Sequence, residues 1–179
     1  MAMGGSTNVV LHGVEIARAA GLDFWGQVVS QAEFNDLSRR LPVLTNLRPF
    51  GFYSIVDLEA VGGLPVVVAE LLAAGLLDGS TVGCTGETLA EQIGRLAPPA
   101  PDGKVVHPLA TPFKATGGLR LLSGNLAPEG GAVLKLAGVE GGIVDGQFRG
   151  RARVFNGEGS ILTALEERPD DFQYRDMVV

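Results

Sequence analysis

A proline-rich segment near the middle of the chain divides it into two parts of different texture. In residues 97–103, four of seven positions are proline or glycine, and neither residue supports a helix interior. Helical periodicity prevails before this segment, whereas short β-type runs separated by glycines follow it. We therefore predict an α/β fold class with two domains, residues 1–98 and 99–179.

The first part carries several helix boundary signals. A glycine turn at residues 4–8 precedes a periodic run that stops at Gly21, with Ser6 or Thr7 as the predicted N-cap. Ser30 and Glu33 have the spacing of a capping box, which predicts a helix ending near Arg40. Further helices are predicted at 54–60, 64–74 and from 85 or 86 to 93, and short strands at 43–47 and 81–85.

The second part is predicted to be mostly β. Apolar runs at 119–122, 132–137, 147–155 and 176–179 predict strands, and one helix is predicted at 159–167. These strands are too few to pair all their edges. They predict the opening of a small barrel or sandwich.

Composition excludes several classes of function. The net charge is −6, and no cluster of Lys and Arg suggests a nucleic-acid partner. No apolar run reaches the roughly 20 residues that a membrane span needs, and the first eleven residues carry no positive targeting region. We expect a cytoplasmic protein with small-molecule or protein partners and no membrane or nucleic-acid partner.

The metal-ligating residue types are sparse. Cys84 is the single cysteine, so it cannot form an intrachain disulfide or hold a metal cluster by itself, and we interpret it as a small buried hydrophobe. His12 is predicted to be a satisfied core or interface histidine. His107 has no second ligand nearby in sequence.

The other charged residues receive structural interpretations. Carboxylates on predicted helices are usually solvated, so no chemistry is assigned to Asp57, Glu59 or Glu70. Arg151 and Arg153 alternate on a predicted strand and are expected to form a solvent-facing pair.

Seven short motifs occur in an order that resembles one family. They are residues 4–12 (Gly-Gly-Ser-Thr-Asn-Val-Val-Leu-His), 39–44, 57–65, 72–77, 85–91, 124–130 and 150–155. Together they resemble the dehydratase family that includes dihydroxy-acid, pentonate and phosphogluconate dehydratases. The resemblance implies an α/β N-terminal domain followed by a β-barrel C-terminal domain, with both domains incomplete here.

The family chemistry implied by the resemblance is dehydration of a 2,3-dihydroxy acid to a 2-keto acid, as in branched-chain amino-acid synthesis. It uses an iron–sulfur cluster and Mg²⁺, whose Lewis acidity assists loss of the hydroxyl group. The alternatives are an aldonate or pentonate dehydratase fragment and a non-catalytic binding module. The expected partners are a small dihydroxy acid in the complete enzyme, and either a homo-oligomer or a complementing segment.

The resemblance also implies which parts of the chemistry are missing. The family's cluster cysteines and magnesium ligands precede the motif that begins at Gly4 here, and its catalytic serine follows Val179. We therefore predict no catalytic and no metal residue, no cofactor bound by this chain alone, and no activity alone.

Two glycine segments are candidate substrate-binding residues. The first, residues 4–8, is interpreted as a loop whose N–H groups at a helix N-terminus face an anionic group. The alternative is a tight turn with an N-cap. The second, residues 124–130, is interpreted as the lining of an interdomain pocket, and the alternative is an ordinary connection between two strands. The candidates are Gly4, Gly5, Ser6, Thr7, Asn8, Gly124 and Asn125.

Overall fold

A computed structural model describes residues 1–48, 51–125, 127–135, 143–144, 147–173 and 176–178. The chain forms two compact units, Met1–Gly138 and Val139–Val179. Within the described ranges, none of the helices combines the length and apolar character that crossing a bilayer would need.

Helices dominate the first 100 residues of the first unit. They are α1 (Asn8–Ala19), α2 (Gln31–Arg40), α3 (Ile55–Ala60), α4 (Leu64–Ala73) and α5 (Leu89–Leu96). A π-helical turn (Phe24–Val28), which the sequence analysis did not predict, lies between α1 and α2. The predicted helices near 9–20, 30–40, 54–60 and 64–74 are therefore confirmed.

Capping boxes begin three of these helices. In each box, the hydroxyl of the N-cap residue accepts a hydrogen bond from the backbone N–H of the N3 residue. The carboxylate of the N3 residue accepts one from the backbone N–H of the N-cap residue, as at Ser30 with Glu33 and at Ser54 with Asp57. The third box joins Thr88 to Glu91. The prediction that α5 begins at residue 85 or 86 was wrong, because this box makes Thr88 the N-cap and Leu89 the first helical residue.

The strands form separate pairs within the described ranges. In the first unit, β1 (Leu119–Gly124) and β2 (Ala127–Lys135) form an antiparallel hairpin. In the second unit, β3 (Ile143–Val144) pairs antiparallel with β4 (Gln147–Phe148), and β5 (Arg151–Arg153) pairs parallel with β6 (Asp176–Val178). Helix α6 (Glu158–Glu167) confirms the predicted helix. The described architecture is mixed α and β.

Two strand predictions match only in part. The single strand predicted at 147–155 is two short strands, β4 and β5, with residues 149–150 between them. The ends of two other predicted strands, 136–137 and 179, lie outside the described residues.

The predicted strand at 43–47 is the centre of the main core rather than part of a sheet. Val43, Thr45 and Leu47 make isolated bridges to three different partners, Lys114, Val106 and Tyr53. No continuous ladder forms because the partners come from separate segments. Leu44 of this segment is fully buried in one cluster with Leu58, Val66, Val67 and Val106, each at most 2% exposed.

The predicted strand at 81–85 was also wrong. This segment is an exposed turn that makes one bridge, from Val82 to Thr88. The Gly83 N–H donates to the Glu87 carbonyl at 2.9 Å, so the segment folds back on itself before α5.

A second buried cluster joins the helical region to the hairpin. Val10 of α1 and Phe34 of α2 pack with Leu119 and Leu121 of β1. The Asn35 side chain donates to the Leu121 carbonyl at 2.9 Å and accepts the Leu121 N–H at 2.8 Å. Polar and apolar contacts therefore both fix β1 against α2.

Candidate functional site

The glycine loop at residues 4–8 is held in place by the core segment beneath it. The Leu44 N–H donates to the Ala2 carbonyl at 2.7 Å, and the Thr45 hydroxyl donates to the Met3 carbonyl at 3.1 Å. Gly4 has a φ of +65°, a conformation that favours glycine. The sequence of this loop thus matches its backbone shape.

The loop ends at the N-terminus of α1 with several free amide groups. Thr7 is the N-cap residue, as predicted, but its side chain makes no capping hydrogen bond. The Ser6 hydroxyl instead accepts the Asn8 N–H at 3.3 Å. Within the described part of the chain, the N–H groups of Gly5, Ser6 and Thr7 have no hydrogen-bond partner. These amides and the helix dipole favour a negatively charged group.

An open hollow of about 670 Å³ lies beside this loop. We call it the N-terminal hollow, and it is lined by Gly4, Gly5, Ser6, Arg48 and apolar side chains that include Ile55 and Leu64. The Arg48 Nε donates to the Phe52 carbonyl at 3.3 Å. Arg48 is the charged residue of this lining, and it could bind a carboxylate. No local sequence motif marks Arg48, so it was not among the predicted site residues.

Gly124 and Asn125 lie elsewhere in the first unit. Gly124 ends β1, and both residues are exposed in the connection to β2. Neither belongs to the lining of the N-terminal hollow. A role for these two residues in substrate binding stays a prediction.

The metal-ligating residue types are dispersed. Cys84 is exposed, which corrects its interpretation as a buried hydrophobe, because it lies in the turn before α5. His12 is also exposed and not in the core. The Nε2 atom of His107 is buried and has no hydrogen-bond partner in the described part of the chain. Among the described residues, no three His, Cys, Asp or Glu side chains come together as a metal site.

Two of the helix carboxylates have structural contacts. Hydrogen bonds from the Ser54 hydroxyl and amide lower the pKa of Asp57, which belongs to the α3 capping box. A Glu70 oxygen accepts the Leu109 N–H at 2.9 Å and ties α4 to the segment after the proline-rich region. These bonds give Asp57 and Glu70 positions in the fold.

The predicted solvent-facing arginine pair is confirmed for Arg151, which is exposed, and corrected for Arg153, which is half-buried. Arg151 makes two hydrogen bonds with Asp176, at 3.1 and 2.9 Å, across the β5–β6 pair. Arg153 donates to the Asp171 carbonyl at 2.9 Å, and its guanidinium lies 5.1 Å from the Phe172 ring centroid. The hydrogen bonds from Arg151 lower the pKa of Asp176. Both arginines therefore hold the C-terminal residues.

Two dehydratase domains match this chain. Residues 1–92 match "Dihydroxy-acid/6-phosphogluconate dehydratase N-terminal", and residues 104–179 match the corresponding C-terminal domain. The chain belongs to the dihydroxy-acid/6-phosphogluconate dehydratase family.

Several relatives carry the name dihydroxy-acid dehydratase. The Acidothermus cellulolyticus protein is 48% identical over 172 residues, which are 96% of this chain and 29% of the relative. The Nocardioides protein is 46% identical over 179 residues, 100% of this chain and 30% of the relative. The Mycobacterium tuberculosis protein is 44% identical over 167 residues, which are 93% of this chain and 27% of the relative. The chain thus spans about 30% of the length of these relatives.

Proposed function

We propose that this chain is a segment of a hydro-lyase that dehydrates a 2,3-dihydroxy acid to a 2-keto acid. The observation that carries the proposal is the 44–48% identity to dihydroxy-acid dehydratases along nearly the whole chain. An aldonate or pentonate substrate is the alternative within the same reaction class. The complete enzyme's compartment is proposed to be the cytoplasm, and its place branched-chain amino-acid synthesis.

The chain's own contribution is to bind and orient the acid. Gly5 and Ser6, whose amides have no hydrogen-bond partner among the described residues, line one hollow with Arg48. Together they suit a carboxylate, which accepts hydrogen bonds from backbone amides and arginine. We propose that Asn8, Gly124 and Asn125 complete the substrate side of the site in the full enzyme.

The cofactors that the family implies do not fit this chain. An iron–sulfur cluster needs several thiolates, and the single cysteine, Cys84, lies in an exposed turn. The described residues also bring together no carboxylate group that would hold Mg²⁺. We therefore propose that the chain alone binds neither cofactor and is inactive, and we derive no reaction step through them.

The remaining organisation is proposed by family likeness. Residues 1–98 would end the α/β domain, and residues 99–179 would begin the β-barrel domain. The matched ranges, 1–92 and 104–179, support a boundary between residues 92 and 104. The complete enzyme would then form its active site from segments on both sides of this boundary. A homo-oligomer or a complementing segment is the proposed protein partner.

Cofactor binding is the first test of the proposal. After anaerobic reconstitution with iron and sulfide, the purified chain should hold no stoichiometric iron or sulfide. Turnover of a dihydroxy acid by the purified chain alone would contradict the proposal.

Complementation is the second test. The A. cellulolyticus polypeptide outside the matched region is expressed separately and mixed with this chain, and 2-keto acid formation is measured. In an active mixture, Arg48→Gln should raise KM by about tenfold or more, because a hydrogen bond to a charged group is worth about 1.5–3 kcal/mol. Arg18→Gln, which removes the exposed ion pair with Glu15, is the control and should leave KM unchanged. Association without turnover would favour the non-catalytic binding module.

A further inference from the structure

An asparagine–glycine pair lies in the second unit, between β5 and α6. Asn156 and Gly157 form the one such pair in the sequence. Both residues are exposed, and the Asn156 side chain has no hydrogen-bond partner among the described residues. Gly157 is the N-cap residue of α6 and has a φ of +89°, a conformation that favours glycine. The fold therefore favours a glycine directly after an exposed asparagine.

The backbone nitrogen of Gly157 is accessible. Its N–H donates no hydrogen bond within the part of the chain that the structure describes. Apart from its chain neighbours, no atom lies within 4 Å of the position that a Cβ atom of Gly157 would take. Nothing therefore prevents this nitrogen from approaching the side-chain amide of Asn156, and asparagine is one of the thermolabile residue types.

We propose that Asn156 is a modification site, at which deamidation without an enzyme gives aspartate and isoaspartate. The Gly157 nitrogen attacks Cγ of Asn156, so a bond forms between these two atoms. The bond from Cγ to the side-chain nitrogen breaks, and that nitrogen leaves as ammonia with the proton of the Gly157 N–H. Water then opens the cyclic imide at either of its two carbonyl carbons. Every carbon keeps its oxidation state, so water is the only co-reactant.

Two other asparagines lack this combination of features. Asn8 is also exposed, but the next amide, that of Val9, donates to the Ser6 carbonyl at 3.0 Å. Val9 is also β-branched, which crowds its own backbone nitrogen. The Asn35 side chain is held by its two hydrogen bonds with Leu121. Exposure, a free side-chain amide and a free following N–H therefore coincide at Asn156.

Two aspartate–glycine pairs, which could form the same cyclic imide, are held by local hydrogen bonds. The Asp102 carboxylate accepts the Val106 N–H at 2.8 Å, and the Gly103 N–H donates to the Val106 carbonyl at 2.9 Å. The Asp78 carboxylate accepts the Ser80 N–H at 2.9 Å. The local structure thus protects these pairs and leaves the asparagine–glycine pair open.

The two products should affect α6 differently. An aspartate places a negative charge directly before the N-terminus of α6, where the helix dipole favours it, and α6 has no side-chain cap of its own. In isoaspartate the main chain runs through the side chain and gains one carbon between β5 and α6. The first turn of α6 should therefore lose order in the isoaspartate form.

The test is incubation of the full chain in mildly alkaline buffer, followed by peptide mass spectrometry that distinguishes isoaspartate from aspartate. Deamidation at Asn156 should be at least about tenfold faster than at Asn35, because the two hydrogen bonds of Asn35 must break first. It should also be faster than at Asn8, and its rate should rise with pH because the attacking nitrogen must lose its proton. Asn156→Gln is the matched control, since it keeps an exposed amide but would need a larger ring, and modification at this position should be lost.

Hydrogen exchange measures the effect on α6. Asn156→Asp should keep the exchange protection of residues 158–162, and the isoaspartate form should lose it; unchanged protection would contradict the effect on α6. Three outcomes would overturn the modification site itself: equal rates at Asn156 and Asn8, aspartate without isoaspartate, or an equal rate of modification in Asn156→Gln. None of these measurements uses a cofactor or turnover, so a failure of the proposed function would leave them unchanged.

Discussion

Replacing Asn35 with alanine should loosen the hairpin from α2. The Asn35 amide occupies the outer edge of β1 as a neighbouring strand would, with one donated and one accepted hydrogen bond to Leu121. Leu121 faces Val133 of β2 on the other edge and is only 9% exposed. Its N–H and carbonyl groups therefore have little access to water once the amide is removed.

The expected loss follows from these two bonds. At about 1 kcal/mol for each neutral hydrogen bond, Asn35→Ala should lower the free energy of unfolding by about 2 kcal/mol. The loss should be larger if no water reaches the Leu121 N–H and carbonyl groups. Alanine improves helix propensity by about 0.5 kcal/mol, which offsets part of the loss. Asp36→Ala is the matched control, since it brings the same propensity gain and removes only exposed ion pairs to Arg39 and Arg40.

Urea unfolding and hydrogen exchange provide the assay. With a slope of about 2 kcal/mol per molar urea, Asn35→Ala should unfold at roughly 1 M lower urea than Asp36→Ala. The Leu121 amide should also exchange faster in Asn35→Ala. Equal midpoints for the two variants, or unchanged Leu121 exchange, would show that this amide does not fix the hairpin.

Three further predictions concern caps, glycines and the second unit. Ser30→Ala should cost about 1 kcal/mol at neutral pH, measured by thermal unfolding. Hydrogen bonds from Ser30 lower the pKa of Glu33, so the box contributes above the unfolded pKa of about 4 and the cost should shrink as pH falls through the lower folded value. Gly117→Ala should destabilise, because its Cβ would lie 2.9 Å from the Ser38 carbonyl oxygen, whereas Gly94→Ala, in open space on α5, should stabilise by up to about 1 kcal/mol in the same unfolding assay. Asp176→Asn should speed hydrogen exchange at 151–153 and 176–178, because it weakens the bonds from Arg151; unchanged exchange would contradict this role.

Local chemistry made much of the first unit predictable. The box of Ser30 and Glu33 fixes the start of α2, and Gly75, with a φ of +66°, follows the end of α4. The same rule applied to Thr88 and Glu91 would have placed α5 correctly. Residue 85 lacks this spacing, because Thr88 lies three positions after it, whereas Glu91 follows Thr88 by the required three positions.

Other features depend on partners distant in sequence. Thr45 bridges to Val106, a pairing that no local periodicity can signal. Arg151 and Arg153 alternate as exposed strand residues would, yet Asp176 and Phe172 draw both toward the C-terminal residues. Arg48 likewise gains its candidate role from the loop at residues 4–6, which the fold brings to the same hollow.

The distribution of the core separates stability from chemistry in this chain. Leu44 and Val67 from one side of the proline-rich segment pack in one cluster with Val105 and Val106 from the other. The polypeptide thus supplies the centre of its first unit itself. An iron–sulfur cluster, by contrast, needs several thiolates that converge on one point, and this sequence has a single cysteine. The core segment holds the residues before the proposed substrate-binding loop, through Leu44 to Ala2 and Thr45 to Met3, whereas the proposed cluster would need thiolates that this sequence does not contain.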